Sequence, residues 1–334
     1  MTKENPKKVG ILVGWEDTFP PAFIEAVNKK SEGDVTATFA QIGVTKHEDT
    51  LAYDVIVDRI SQDIELYKPW LKQQALNGAY VINDPFWWLA DDKFFDNALV
   101  AKLGVAVPRT VILPSYQRNP NTSEKSHRNL QLMDWEEIFN YLNFPMFLKP
   151  YTGGGWKKVY KVRSAEEFFY CYAQTGQTVM VLQEAIDFDS YVRCLCIGKD
   201  NIMPIKYDPH NRQYLIDHKH LTPELGEKIV RDARVICHAL NYDMNSIEFA
   251  IRDGVPVAID FLNPAPDMDY YSITPFYFDW VVEAMSTFVV ELARRTPASS
   301  TGYYPWKRLL ETGGELAASS SVPKAAAKKA KVQV

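Results

Sequence analysis

The stretch that most constrains the fold runs from Ser246 to Pro266 and reads Ser-Ile-Glu-Phe-Ala-Ile-Arg-Asp-Gly-Val-Pro-Val-Ala-Ile-Asp-Phe-Leu-Asn-Pro-Ala-Pro. Ile247, Phe249 and Ile251 alternate with Ser246, Glu248 and Ala250, which is the period of a half-buried strand. Asp253-Gly254 supplies a turn, and a second strand ends at Asp260. Two carboxylates therefore sit on paired strands. Directly opposed residues of an antiparallel pair share a face, so Glu248 meets Asp260 if Arg252 pairs with Pro256 across a three-residue loop of Asp253, Gly254 and Val255. A strict two-residue turn would put the carboxylates on opposite faces. The longer loop is expected, because Pro256 lacks an N–H and suits a non-hydrogen-bonded pair.

The rest of the chain has room for a large architecture. Its 334 residues, 46% of them hydrophobic, are enough for two or three domains with a substantial core. A net charge of -5 gives no global basic field, so nucleic acid is not the expected partner. The cysteines Cys171, Cys194, Cys196 and Cys237 form no CxxC pair, and the Met-Thr-Lys-Glu-Asn start has no apolar signal segment. A cytoplasmic protein with reduced thiols is the expectation, with Cys194 and Cys196 as packing residues on one face of a strand. No apolar run approaches membrane-spanning length.

In chain order, strand patterns at 8–13, 35–42, 53–57 and 80–82 alternate with helical patterns around Phe23 to Val27 and at 64–76, as in a small parallel α/β domain. Gly14, Trp15 and Glu16 follow its first strand, where ligands of open α/β sheets tend to lie. Asn83-Asp84-Pro85 breaks the pattern, and a helix follows with Phe94, Phe95, Ala98, Leu99 and Leu103 as its apolar side. After a strand at 110–113, residues 114–128 form an exposed loop. A helix at 134–142 leads to an apolar strand, 144–150, that carries the single charge Lys149.

Directly after that strand comes Tyr-Thr-Gly-Gly-Gly-Trp-Lys-Lys-Val. Successive glycines let backbone N–H groups approach a phosphate closely, and the flanking lysines add charge. The pattern is neither a Walker loop nor a Rossmann fingerprint. Ser164-Ala165-Glu166-Glu167 predicts a capped helix to about Gln174. Strands at 179–183, 191–197 and 202–207, a helix at 222–240 and a final helix at 280–294 complete the reading. His218-Lys219-His220 lacks the partners of a zinc site. From about Ala298 the Ser, Ala, Gly and Lys composition, with Lys324, Lys328, Lys329 and Lys331, predicts a disordered basic tail.

Asp92-Lys93, Phe-Leu-Lys-Pro at 147–150, the glycine loop, Leu-Gln-Glu-Ala-Ile at 182–186 and Glu248 through Asn263 occur in the order and spacing of the ATP-grasp superfamily. The chain resembles its carboxylate–amine ligases, such as ribosomal-protein glutamate ligases, glutathione synthetases and D-alanine–D-alanine ligases. The resemblance implies a mixed α/β and α+β fold: a small parallel α/β domain over 1–84, a small subdomain with the glycine loop over 85–186, a second subdomain with a metal site over 187–297, and the tail over 298–334. It also implies roles. Lys93 and Lys149 resemble the lysines that hold ATP phosphates, and Gly153, Gly154 and Gly155 the loop closing over them. Gln183, Glu184 and Ile186 resemble the segment that reads adenine, with Asp187 or Asp189 at the ribose. Arg193 and Lys206 resemble basic residues facing the terminal phosphate. Glu248, Asp260 and Asn263 resemble ligands for Mg²⁺, with Mn²⁺ as the alternative ion, although Asp260 and Asn263 stand three residues apart where relatives have two.

The implied activity is ATP-dependent amide formation between a small carboxylate and an amine, through an acyl phosphate. A small-molecule kinase of the same fold and a non-catalytic ATP-binding protein are the alternatives. Loops around Trp15, 114–128 and 208–220 are expected to shape the acceptor pocket.

Overall fold

A computed structural model describes residues 5–87, 92–295, 304, 306, 307 and 310. The expected tail at 298–334, with its lysines, lies outside the described residues except at those last four positions. Residues 301–334 form a unit separate from the body.

Among the described residues the body contains three sheets. In the first, β1 (Lys7–Leu12), α1 (Phe19–Lys30), β2 (Val35–Phe39), β3 (Val55–Asp58), α2 (Tyr67–Leu76) and β4 (Tyr80–Ile82) form a parallel sheet in the order β2-β1-β3-β4. The helix α3 (Lys93–Lys102) leads to β5 (Thr110–Leu113), α4 (Trp135–Leu142), β6 (Met146–Pro150), β7 (Tyr160–Val162), α5 (Ala165–Ala173) and β8 (Met180–Glu184). These strands make an antiparallel sheet ordered β5-β8-β6-β7. The third sheet, ordered β11-β10-β9-β12-β13, is built from β9 (Ser190–Ile197), β10 (Asn201–Asp208), β11 (Gln213–Leu215), β12 (Met244–Arg252) and β13 (Val255–Asp260). Its helices are α6 (Pro223–Ala239) and α7 (Tyr270–Arg294). No helix among the described residues is long and apolar enough to cross a membrane.

Hydrophobic burial joins these layers. Val281, Met285 and Val289 of α7 pack in one core with Val9, Ile11, Phe19 and Phe23 of the first sheet and Leu195, Ile197 and Met244 of the third. On the opposite face of the third sheet, Val192, Cys194, Cys196, Ile247 and Phe249 pack against Ile229, Ile236 and Cys237 of α6. The free thiols are thus core residues, as expected. Each fully buried large apolar side chain contributes about 1.5–3 kcal/mol.

Four departures from the sequence reading have physical causes. Arg252 pairs with Val255, so the β12–β13 turn has two residues; Asp253 and Gly254 both have positive φ (52° and 74°), the geometry Asp-Gly favours in tight hairpins. Glu248 still opposes Asp260, because a β-bulge skips Ile259 between the Ala258 and Asp260 pairings. The extra residue thus lies within the strand rather than in the turn. Second, α3 buries Lys93, Asp96, Asn97 and Val100, whereas Phe95, Ala98 and Leu103 are exposed. That helix turns its polar face inward. Third, α7 begins at Tyr270, capped by Asp269, and is interrupted at Thr274 ahead of Pro275. Fourth, β11 is a three-residue strand whose Tyr207 and Tyr214 rings pack at 5.0 Å, too short to give a periodic signal.

Segments that follow strands of the first sheet grip the loop after β13. The Asn83 side chain donates to the carbonyls of Met244 (2.7 Å) and Pro264 (3.1 Å) and accepts from the Met244 N–H at 2.9 Å. Arg59, its side chain only 1% exposed, donates to the Pro266 carbonyl at 2.6 Å and makes a two-pronged ion pair with Glu16. Glu16, in the loop where ligands of such sheets tend to lie, is thereby held in a structural pair. Removing one partner of a buried pair strands the other, so Arg59→Ala should cost about 3–5 kcal/mol in urea denaturation. Glu65→Ala, in an exposed pair with Lys68, should cost less than about 0.5 kcal/mol.

Candidate active site

The β12–β13 pair gives the site its anionic wall. Arg193 pairs with Glu248 across β9–β12, and alternation puts Tyr191, Arg193, Ser246, Glu248 and Asp260 on one face of the third sheet. The Arg193 Nε lies 3.5 Å from Glu248 Oε1, and the Tyr191 hydroxyl donates to the other oxygen of the same carboxylate. Burial pushes the Glu248 carboxyl above its ordinary value; Arg193 opposes that shift and Asp260 reinforces it.

Asn263 reaches this face by a second irregularity. The Ser246 N–H donates to the Asn263 carbonyl at 3.3 Å, so three residues on one side, Asp260 to Asn263, span two on β12. Fully buried Asn245 accommodates the surplus residue. Its amide donates to the Phe261 carbonyl at 2.9 Å and accepts from the Asn263 N–H at 3.0 Å. The Asn263 amide nitrogen donates to Ser246 Oγ at 2.8 Å, which leaves Oδ1 as the atom able to face a cation.

The second sheet and α3 supply the cations. Met146 and Leu148 of β6 enter the core under α4 and α5, so Lys149 points the other way. Its ammonium is pushed below its ordinary value by burial, which Asp260 and Glu248 counter and Lys93 reinforces. Lys93 is buried at the first turn of α3, where Asp92 caps the helix by accepting from the Phe94 and Phe95 N–H groups at 2.9 and 3.0 Å. Its N–H donates to the Tyr151 carbonyl at 2.9 Å and its ammonium to the Gly153 carbonyl. Three cations, Lys93, Lys149 and Arg193, thus gather around two carboxylates.

Gly153 (φ 78°) and Gly155 (φ 72°) give the loop conformations that L side chains rarely adopt, and a Cβ on any of the three glycines would meet nothing within 4 Å. The loop is open along its length. Beyond it, the Arg212 guanidinium of the β10–β11 turn stands 5.7 Å from the Trp156 ring centre, a contact between the second and third sheets.

Other expected residues fall around this cluster. Gln183 is buried in the middle of the second sheet, its amide donating to Thr110 Oγ1 at 2.9 Å. Glu184 accepts from Arg109 at 2.9 Å and from Arg252 at 3.2 Å, linking the second and third sheets, and Ile186 follows it half-buried. Asp187 is exposed, while Asp189 accepts from the Asp253 N–H at 3.0 Å and so braces the hairpin turn. Lys206 is not brought in: it pairs with Val192, on the face opposite Arg193, and its ammonium meets Asp217 at 2.9 Å. Tyr191, Asn245 and Ser246 were not singled out from sequence. Tyr191 and Ser246 could have been found by extending the alternation that marks Arg193 and Glu248.

No family model and no curated protein sequence matches the chain. Solved structures do match in shape. The D-alanine–D-alanine ligase of Bacillus anthracis complexed with ATP superposes with a TM-score of 0.59 at 15% identity, over 88% of this chain and 99% of that one. The VanG D-Ala:D-Ser ligase of Enterococcus faecalis gives 0.62 at 16%, over 86% and 99%. A RimK domain ATP-grasp protein of Sphaerobacter thermophilus gives 0.59 at 16%, over 85% and 99%. The chain has the ATP-grasp fold.

Among the described residues, no group of three or more His, Cys, Asp or Glu side chains could hold a metal ion alone. The donor set nevertheless suits Mg²⁺, which binds through one or two carboxylates and keeps its remaining positions for water and substrate phosphates. Glu248, Asp260 and Asn263 Oδ1 offer hard oxygens for that arrangement.

The Glu184 bridge gives a pH test. Burial alone would raise its carboxyl, but hydrogen bonds from Arg109 and Arg252 outweigh it and hold the group below its ordinary value of 4.5. A depressed carboxyl stabilises the fold above its unfolded pKa, and that stability is lost as pH falls through the lower folded value. Glu184→Gln should therefore cost about 1 kcal/mol at neutral pH. The gap to wild type should narrow in denaturation curves as pH falls below the ordinary value of 4.5 and close once it passes the lower folded value.

Proposed function

We propose that this chain is an ATP-dependent carboxylate–amine ligase working through an acyl phosphate. The observation that carries the reading is the meeting of Lys93 and Lys149 with Glu248, Asp260 and Arg193 beside a glycine loop. The likeness to ligases of the same fold supports it.

In this reading Lys93, Lys149 and the N–H groups of Gly153 to Gly155 hold the ATP phosphates. Gln183, Glu184 and Ile186 line the adenine, and Asp187 or Asp189 meets the ribose. Glu248, Asp260 and Asn263 would hold Mg²⁺, whose charge offsets that of the phosphates when bound. A carboxylate oxygen of the acid attacks the γ-phosphorus as the bond to the bridging oxygen breaks, giving acyl phosphate and ADP. The amine nitrogen then attacks the acyl carbon, phosphate leaves with its electron pair, and the amine proton passes to solvent or phosphate.

No protein nucleophile takes part. The side chains position groups and stabilise charge, and Arg193 neutralises the equatorial oxygens of the transferring phosphoryl group. A phosphate-release screen of paired acids and amines with Mg²⁺ should yield ADP and phosphate in equal amounts. Asp260→Ala and Lys149→Ala should each lower the rate by about a hundredfold or more. Equal rates in wild type and both variants would contradict the assignment.

A further inference from the structure

This inference rests on the ligase reading and concerns the acid it takes. Tyr214 pairs with Tyr207 across β10–β11, and Tyr207 lies two residues beyond Ile205, the partner of Arg193. Both tyrosines therefore share the face of Arg193 and Glu248. The Arg193 guanidinium stands 5.3 Å from the Tyr207 ring centre and 5.6 Å from that of Tyr214. Two aromatic faces thus fix its plane.

The hydroxyls of this face differ in one respect. Tyr191 donates to Glu248, and Ser246 Oγ accepts from Arg193 at 3.3 Å and from Asn263. Tyr214 is 6% exposed, and among the described residues its hydroxyl has no hydrogen-bond partner. Arg193 Nε is also buried without one, attracted to Glu248 but not hydrogen-bonded to it. Buried polar atoms are nearly always paired, so two unmet donors on one face mark a place where a ligand supplies the acceptor. Burial, with Asp267 and Glu248 nearby, keeps the Tyr214 phenol protonated and so a donor.

A phenol O–H on the same sheet face as a guanidinium N–H, the guanidinium 5.6 Å from the phenol's ring centre, suits an acceptor carrying negative charge. We infer that the Tyr214 hydroxyl and Arg193 Nε form an oxyanion subsite, making Tyr214 a substrate-binding residue for the acid's carboxylate or for the phosphoryl group it receives. The tyrosine carries no charge of its own. It adds one directional donor where arginine alone would accept many anion orientations.

The test is a calorimetric titration of inorganic phosphate into the full chain, with and without MgADP, for wild type, Tyr214→Phe and Tyr214→Met. A parallel series measures KM for an acid found active by trapping its acyl phosphate with hydroxylamine. Losing one hydrogen bond to a charged group should weaken binding about tenfold or more, while MgADP affinity stays within twofold of wild type. Weaker phosphate binding assigns the subsite to the transferred group, and a raised acid KM assigns it to the carboxylate. Variants within twofold of wild type in both series would overturn the inference, as would a wild type that binds no phosphate together with an acid KM the variants leave unchanged. Absent MgADP binding with the Tyr214 effect intact would instead overturn the nucleotide reading alone.

Discussion

Charge withdrawn from water must be balanced where it lies. Lys93 is buried, Lys149 and Arg193 are half-buried, and the nearest opposite charges belong to Glu248 and Asp260 on another sheet. Each side would be costly alone, the lysines losing hydration and Glu248 rising toward its neutral form. The opposite charges act against that cost: Asp260 and Glu248 counter the burial of Lys149 from across the sheets, and Arg193 counters that of Glu248. This mutual dependence ties the second and third sheets together, so neither carries the charge cluster alone.

The backbone is irregular where that balance requires it. A two-residue Asp-Gly turn would by itself send Asp260 to the α6 face, among Ile247, Phe249 and the buried cysteines, where a carboxylate has no partner. The bulge at Ile259 restores it to Glu248. The second surplus residue, before Asn263, is accommodated by the Asn245 amide, and the loop beyond is held by Asn83 and Arg59, which follow strands of the first sheet. The first sheet's connecting segments therefore brace the loop after β13, and Glu16 completes that brace.

Much of this was legible in the sequence because it is periodic or compositional. Alternation marked the strand bearing Glu248, an apolar run marked the strand bearing Lys149, and glycine content marked the loop at 153–155. What was not legible depended on cancellation or context. Sequence placed an extra residue at the turn, since Pro256 suited such a pairing, whereas Asp253 and Gly254 favour the tighter hairpin and the bulge absorbs the difference. In α3 the apolar residues Phe95 and Leu103 stay outside because Lys93, Asp96 and Asn97 face inward. Hydrophobic periodicity cannot signal a helix that buries its polar side. Lys206 misled for a related reason: its type fits the site, but its register turns it to the other face.

The central claim is that these side chains from separate sheets form one magnesium–nucleotide site. The most direct measurement is a calorimetric titration of ADP into the full chain with and without Mg²⁺, repeated on Lys149→Ala. The account predicts saturable binding that tightens markedly with Mg²⁺ and is lost in the variant. Binding that ignores both the metal and Lys149, or no binding at all, would contradict it.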